Sequence, residues 1–179
     1  MSKNIVVLSG SPRKNGNTDR LAAAFVEGAE SADMKVTLFR VADMNIAGCR
    51  GCNHCFEEKG VCVQKDDAQS ILDALKDADV FVLASPIYFF SLSAQLRLAI
   101  DRTYALISVG SPAKKSALLI TCGDNSERSA DGAVATYKGM CSHAGRDDAG
   151  IIIATGLHEP DDIEGRPELE RARALGREI

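Results

Sequence analysis

The stretch Ile5-Val6-Val7-Leu8-Ser9-Gly10-Ser11-Pro12-Arg13-Lys14-Asn15-Gly16-Asn17-Thr18 decides the fold. Its first half, Ile5–Ser9, is a short, continuous, β-branched run, the pattern of a strand covered on both faces. Its second half is polar, broken by Gly and Pro, and feeds at once into a helical pattern over Thr18–Glu30. There Leu21, Ala24, Phe25 and Ala29 fall at helical spacing, with Asn17 or Thr18 as the cap. The same alternation repeats outward. Strands are expected at Lys35–Val41, Val80–Ala84, Ser116–Thr121 and Gly150–Ala154. Helices are expected at Asp66–Asp77, Ser93–Leu106, Ala133–Ala144 and Pro167–Gly176, the last with Gly176 as its stop. Strand and helix in turn predict parallel strands joined by right-handed crossovers, hence an α/β three-layer sandwich in a single domain over 1–179.

Composition narrows the class. With 45% hydrophobic and 26% charged residues, the 179-residue chain is neither disordered nor fibrous, and its length buries a core without staples. The net charge of −4 argues against a nucleic-acid grip, which wants a basic face. No apolar run approaches the roughly 20 residues that span a bilayer, and the start reads as neither signal nor anchor, so a cytoplasmic chain with no membrane partner is expected. Six cysteines in a reducing compartment are then not a disulfide framework by default.

In open α/β sheets ligands sit beyond the carboxyl ends of the strands. The loop after the first strand has the make-up of a phosphate site: it is polar, contains Gly, and opens a helix whose first amides lack partners. Ser11, Asn17 and Thr18 add donors, and Arg13 adds charge. It is not a Walker loop, because five residues separate Gly10 from Gly16 and Asn17 follows. The dinucleotide G-x-G-x-x-G pattern is also absent, and no cysteine stands there as a phosphatase nucleophile. The expected ligand is a phosphate that is held and not transferred. After the third strand, Ser85-Pro86-Ile87-Tyr88-Phe89-Phe90-Ser91 gathers three of the chain's aromatic residues in a row, a flat apolar wall for a ring system.

These motifs in order (Ser9-Gly10-Ser11-Pro12-Arg13 with Asn17-Thr18, then Ser85-Pro86-Ile87-Tyr88, then Leu96 through Asp101-Arg102) resemble the NADPH-dependent FMN reductase family. The resemblance implies a flavodoxin-like fold with a five-stranded parallel sheet in the order 2-1-3-4-5. It implies FMN as cofactor, with Ser9, Ser11, Arg13, Asn17 and Thr18 at the phosphate end. Pro86, Ile87, Tyr88 and Phe89 would line the isoalloxazine ring, and Thr121, Gly123 and Asp124 would border its other edge.

Cys49, Cys52, Cys55 and Cys62 crowd into the long segment after the second strand. Thiolates two residues apart can reach one metal centre from a tightly turned backbone, and four is the number a [4Fe–4S] cluster needs. The pattern resembles the cysteine motif of iron–sulfur flavoproteins. Zinc, with His54 as a further donor, and bare thiols that only shape the flavin site stay open beside it. Cys122 and Cys141 read as buried apolar residues, His143 and His158 as surface or capping residues, and Asp66-Asp67 and Asp161-Asp162 as helix-start or solvated acids.

The resemblance thus implies an FMN-dependent NAD(P)H oxidoreductase that moves hydride or electrons from reduced nicotinamide to a small acceptor. Such chemistry belongs to the cofactor, so no catalytic side chain is expected. The alternative is an iron–sulfur flavoprotein carrier, exchanging electrons between a [4Fe–4S] cluster and FMN with a ferredoxin-like partner; a flavin-free binding module is a third reading. A homo-oligomer, dimer or tetramer, is expected, with the exposed aromatics near Phe89-Phe90 at the interface.

Overall fold

The computed structural model describes residues 2–179. Five strands run parallel: β1 (Asn4–Ser9), β2 (Lys35–Arg40), β3 (Val80–Tyr88), β5 (Lys115–Thr121) and β6 (Asp147–Ala154), in the spatial order β2-β1-β3-β5-β6. That is the expected order for the parallel strands. A sixth strand, β4 (Ser91–Leu92), corrects the expected five: it pairs antiparallel with the end of β3, Ile87 against Leu92 and Tyr88 against Ser91.

Side chains of the central strands alternate between two cores, as the pleat requires. Val6, Leu8, Phe81, Leu83, Leu118 and Ile120 pack under α3 (Ala68–Lys76), α4 (Ala94–Arg102) and α5 (Asp131–Ala144). Ile5, Val7, Val80, Val82, Ala117 and Leu119 pack under α1 (Asn17–Ser31) and α6 (Pro167–Glu178). The short helix α2 (His54–Glu57) lies in the cysteine segment. Both faces of the sheet are therefore covered, and the sandwich has three layers.

Helix ends differ from expectation for local reasons. Ser93 caps α4, accepting from the Leu96 amide at 3.3 Å, and the helix gives way to a 3₁₀ turn over Thr103–Ser108. Gly176 does not stop α6, which runs on to Glu178. It is instead a point of close approach: a Cβ there would stand 2.2 Å from the Phe25 carbonyl oxygen of α1, and one at Gly28 would stand 2.0 Å from that of Arg173. The two helices cross through paired glycines.

Candidate active site

Three chain segments meet at the carboxyl ends of the strands around a cavity of about 250 Å³. The first is the β1–α1 loop, with Ser11, Arg13, Gly16, Asn17 and Thr18 on its wall. Neither Asn17 nor Thr18 caps α1; Gly16 takes that position and no side chain caps it. The first helical hydrogen bond runs from the Arg20 amide to the Gly16 carbonyl at 3.1 Å. The amides of Asn17, Thr18 and Asp19 consequently have no acceptor in the helix and add to the positive end of its dipole.

Beneath the loop, the Asp19 carboxylate accepts from Ser9 Oγ at 3.0 Å and the Asn15 amide at 2.9 Å, and pairs with Arg40. Ser9, expected at the phosphate, is buried in this scaffold and is not among the residues lining the cavity. Ser11 Oγ sits 3.2 Å from both the amide and the carbonyl of Arg13, which shapes the turn. Thr18 and Thr121 share a 2.7 Å hydroxyl contact across the cavity floor.

Pro86, Ile87 and Tyr88 form the second wall. Because β3 continues through them and β4 closes on it, this wall is a laddered strand, where a loop was expected. Phe89, expected beside the ring, occupies the hairpin tip, 96% exposed, outside the lining of this cavity. Phe89 and Phe90 both have positive φ, +48° and +64°, as in a type I′ turn, and their rings meet edge to face at 5.9 Å.

The third wall follows β5 and β6. Thr121, Cys122 and Gly123 face Leu157, His158 and Pro160. Asp124, expected at the ring's other edge, stands outside this lining, its carboxylate accepting from Ser129 Oγ and the Ser126 amide and bracing the loop after β5. Leu157, His158 and Pro160 were missed as site residues by sequence reasoning. Asn17 holds their segment in place, donating to the Glu159 carbonyl at 2.7 Å and accepting from the Ile163 amide at 3.2 Å. Asp162, expected to be a helix-start or solvated acid, accepts from the amides of His158 and Glu159 at 2.7 and 2.8 Å. Those amides hold its carboxyl below the usual range. The signal available in sequence was position alone: this segment, too, follows a strand's carboxyl end.

A second, smaller hollow of about 20 Å³ is lined by all four clustered cysteines and by Arg102. Cys49 and Cys52 are exposed, Cys55 is buried and Cys62 is half-buried. Burial pushes the Cys55 thiol up, and charge on Cys62, Cys49 and Cys52 pushes it the same way. Positive φ at Gly51, Asn53, Lys59 and Gly60 lets the segment turn tightly enough to gather them. Among the described residues no three His, Cys, Asp or Glu side chains converge on a point that could hold a single metal ion.

No helix among the described residues is long and apolar enough to cross a membrane. The sequence profile of NADPH-dependent FMN reductases matches residues 3–140. An iron–sulfur flavoprotein of Methanocaldococcus jannaschii is 38% identical over 102 residues, 57% of this chain and 52% of that one. A putative NAD(P)H-dependent FMN-containing oxidoreductase of Bacillus subtilis is 30% identical over 98 residues, 55% of this chain and 50% of that one. The chain thus spans about half the length of these curated relatives. Among solved structures, the NAD(P)H:quinone oxidoreductase from Methanothermobacter marburgensis shares the fold with a TM-score of 0.76 at 19% identity, covering 99% of this chain and 96% of that one. By the profile match and the flavodoxin-like fold that carries it, the chain belongs to the NADPH-dependent FMN reductase family.

Proposed function

We propose that this chain is a single flavodoxin-like FMN-binding domain acting as an NAD(P)H-dependent oxidoreductase in the cytoplasm. The observation that carries the reading is the shared groove: an uncapped N-terminus of a 15-residue helix and a strand-built apolar wall line one cavity. That arrangement suits a ligand with a phosphate at one end and a flat ring at the other.

The residues present fit FMN. The amides of Asn17, Thr18 and Asp19, the Ser11 and Thr18 hydroxyls and the exposed Arg13 would take the phosphate; Pro86–Tyr88 would flank the ring, with Thr121 and Gly123 at its other edge. Bound FMN supplies hydride acceptance from reduced nicotinamide and its return to a small acceptor. The chain's part is to bind, to orient and to keep one ring face open, so no side chain is assigned a proton. The test is anaerobic: protein loaded with FMN is mixed with NADH or NADPH, and the flavin absorbance is expected to bleach with at least one donor and recover with a quinone. Absence of bleaching with both donors removes this reading.

The cysteine segment favours a second reading, an iron–sulfur flavoprotein carrier that serves a ferredoxin-like partner. Four thiols around one hollow match the donor set of a [4Fe–4S] cluster, whose irons take one thiolate each, so the sulfurs need not converge on a point. The hollow is smaller than a cubane, and the exposed Cys49 and Cys52 form the side that would open to admit one. Iron and acid-labile sulfide in anaerobically purified protein decide between the two readings. In either, we infer a homo-oligomer, supported by the exposed Phe89-Phe90 tip.

A further inference from the structure

Arg102 ends α4 with its side chain only 1% exposed, against the hollow lined by the four cysteines. Nη1 donates to the Ala47 carbonyl at 2.9 Å and to Asp66 Oδ2 at 2.5 Å; Nη2 donates to Cys62 Sγ at 3.3 Å. Nε is buried with no acceptor among the described residues. Asp66, expected to be a helix-start or solvated acid, also accepts from the Ala47 amide at 3.0 Å and the Ala68 amide at 3.2 Å. One planar group therefore grips the chain just ahead of Cys49 and again at Cys62 and Asp66, tying both ends of the cysteine segment to α4.

The charge on this group is as informative as its reach. A guanidinium stays protonated in proteins, and burying it is costly unless negative partners surround it. Asp66 supplies one. A neutral thiol is a weak acceptor, so Cys62 Sγ and the free Nε–H are poorly matched while the cysteines are thiols. Thiolates bound to a cluster reverse that, because they are strong acceptors of N–H donors and carry net negative charge.

We propose that Arg102 is the positioning residue of the four-cysteine centre, holding the two ends of the loop together and presenting a buried cation and an unspent N–H to the thiolates of a bound cluster. The inference rests on the cluster reading of this segment given above. It does not involve the flavin groove, whose lining excludes Arg102.

The test uses the full chain loaded with FMN and reconstituted anaerobically with ferrous iron and sulfide, as wild type, R102K and R102M. The readouts are iron and sulfide per chain, the rate of iron loss to a chelator, the cluster's midpoint potential and the FMN content. R102M is expected to keep its FMN, to lose iron about 10–100-fold faster, and to show a lower potential, because the reduced cluster loses its neighbouring cation. R102K is expected to hold the wild-type potential yet release iron faster, since one ammonium cannot span Asp66 and Cys62 together. If R102M fails to retain FMN, the R102K comparison decides alone, and unchanged iron release overturns the proposal. Wild-type release and potential in R102M overturn it while leaving the cluster reading intact. A wild type that takes up no iron and sulfide overturns both.

Discussion

At the scale of single residues, the groove separates side chains that shape it from those free to meet a ligand. Ser11 and Thr18 both line the cavity, yet each hydroxyl is already engaged, one with Arg13 and the other with Thr121. Their loss loosens the turn that presents the amides and, on the proposed FMN site, takes away two hydroxyls that would re-aim toward the phosphate. The double variant S11A/T18A is expected to weaken FMN binding by about 1–3 kcal/mol, read as the shift in dissociation constant by flavin fluorescence. Retention at wild-type affinity would place the phosphate elsewhere. Phe89 and Phe90 invite the opposite experiment. A two-residue turn with positive φ at both positions favours Asn-Gly, and bulky side chains there are strained by roughly 1–3 kcal/mol each. F89N/F90G is expected to raise the thermal midpoint of the monomer and, on the proposed homo-oligomer, to shift it toward monomer in sedimentation, because the same change removes strain and exposed apolar surface. An unchanged oligomer would release the tip from that role.

At the scale of elements, α1 and α6 cross through Gly28 and Gly176 with no room for a Cβ. Gly→Ala in an exposed helix interior ordinarily stabilises by about 1 kcal/mol. Here G176A forces backbone against backbone, and a net loss of about 1–3 kcal/mol is expected in urea unfolding, with the sign itself as the test. The segment after β6 responds to acid. The carboxyl of Asp162 sits below its ordinary value because the amides of Glu159 and His158 hydrogen-bond to its charged form. A carboxyl depressed on folding stabilises above the unfolded value near 3.9, and that contribution disappears as pH falls through the lower folded value. Amide exchange at His158 and Glu159 is therefore expected to be insensitive to this group at neutral pH and to gain an acid-driven opening below about pH 4. D162N removes that step.

At the scale of the whole molecule, the layers were readable because the central strands are apolar on both faces. Val80–Ala84 and the Ala117–Ile120 run inside Ser116–Thr121 carry that pattern without interruption. The ends were less readable. β6 starts at Asp147, three residues before the expected Gly150, because its first residues are polar where the strand emerges at the edge of the sheet. β3 outruns its expected end at Ala84 because Ser85-Pro86 looks like punctuation, while pairing to β5 as far as Thr121 and then to β4 carries it on. The polar β1–α1 loop, Pro86–Tyr88 and the cysteine run announced themselves locally. The third wall did not: Asn17 reaches Glu159 across 142 positions, and no periodicity or spacing records such a contact. Arg102 with Asp66 was hidden for the same reason, being 36 positions apart.

The hydrogen-bonded ladder at Ile87–Tyr88 has one more outcome. A wall stitched to its neighbour is the stiffer bank of the groove; on the opposite bank a backbone bond from the Leu157 amide to the Cys122 carbonyl fixes one end, while side-chain bonds from Asn17 and Asp162 hold His158, Glu159 and Ile163. Motion of the groove is then expected to concentrate on that bank, read as faster amide exchange over 158–163 than at Ile87 and Tyr88.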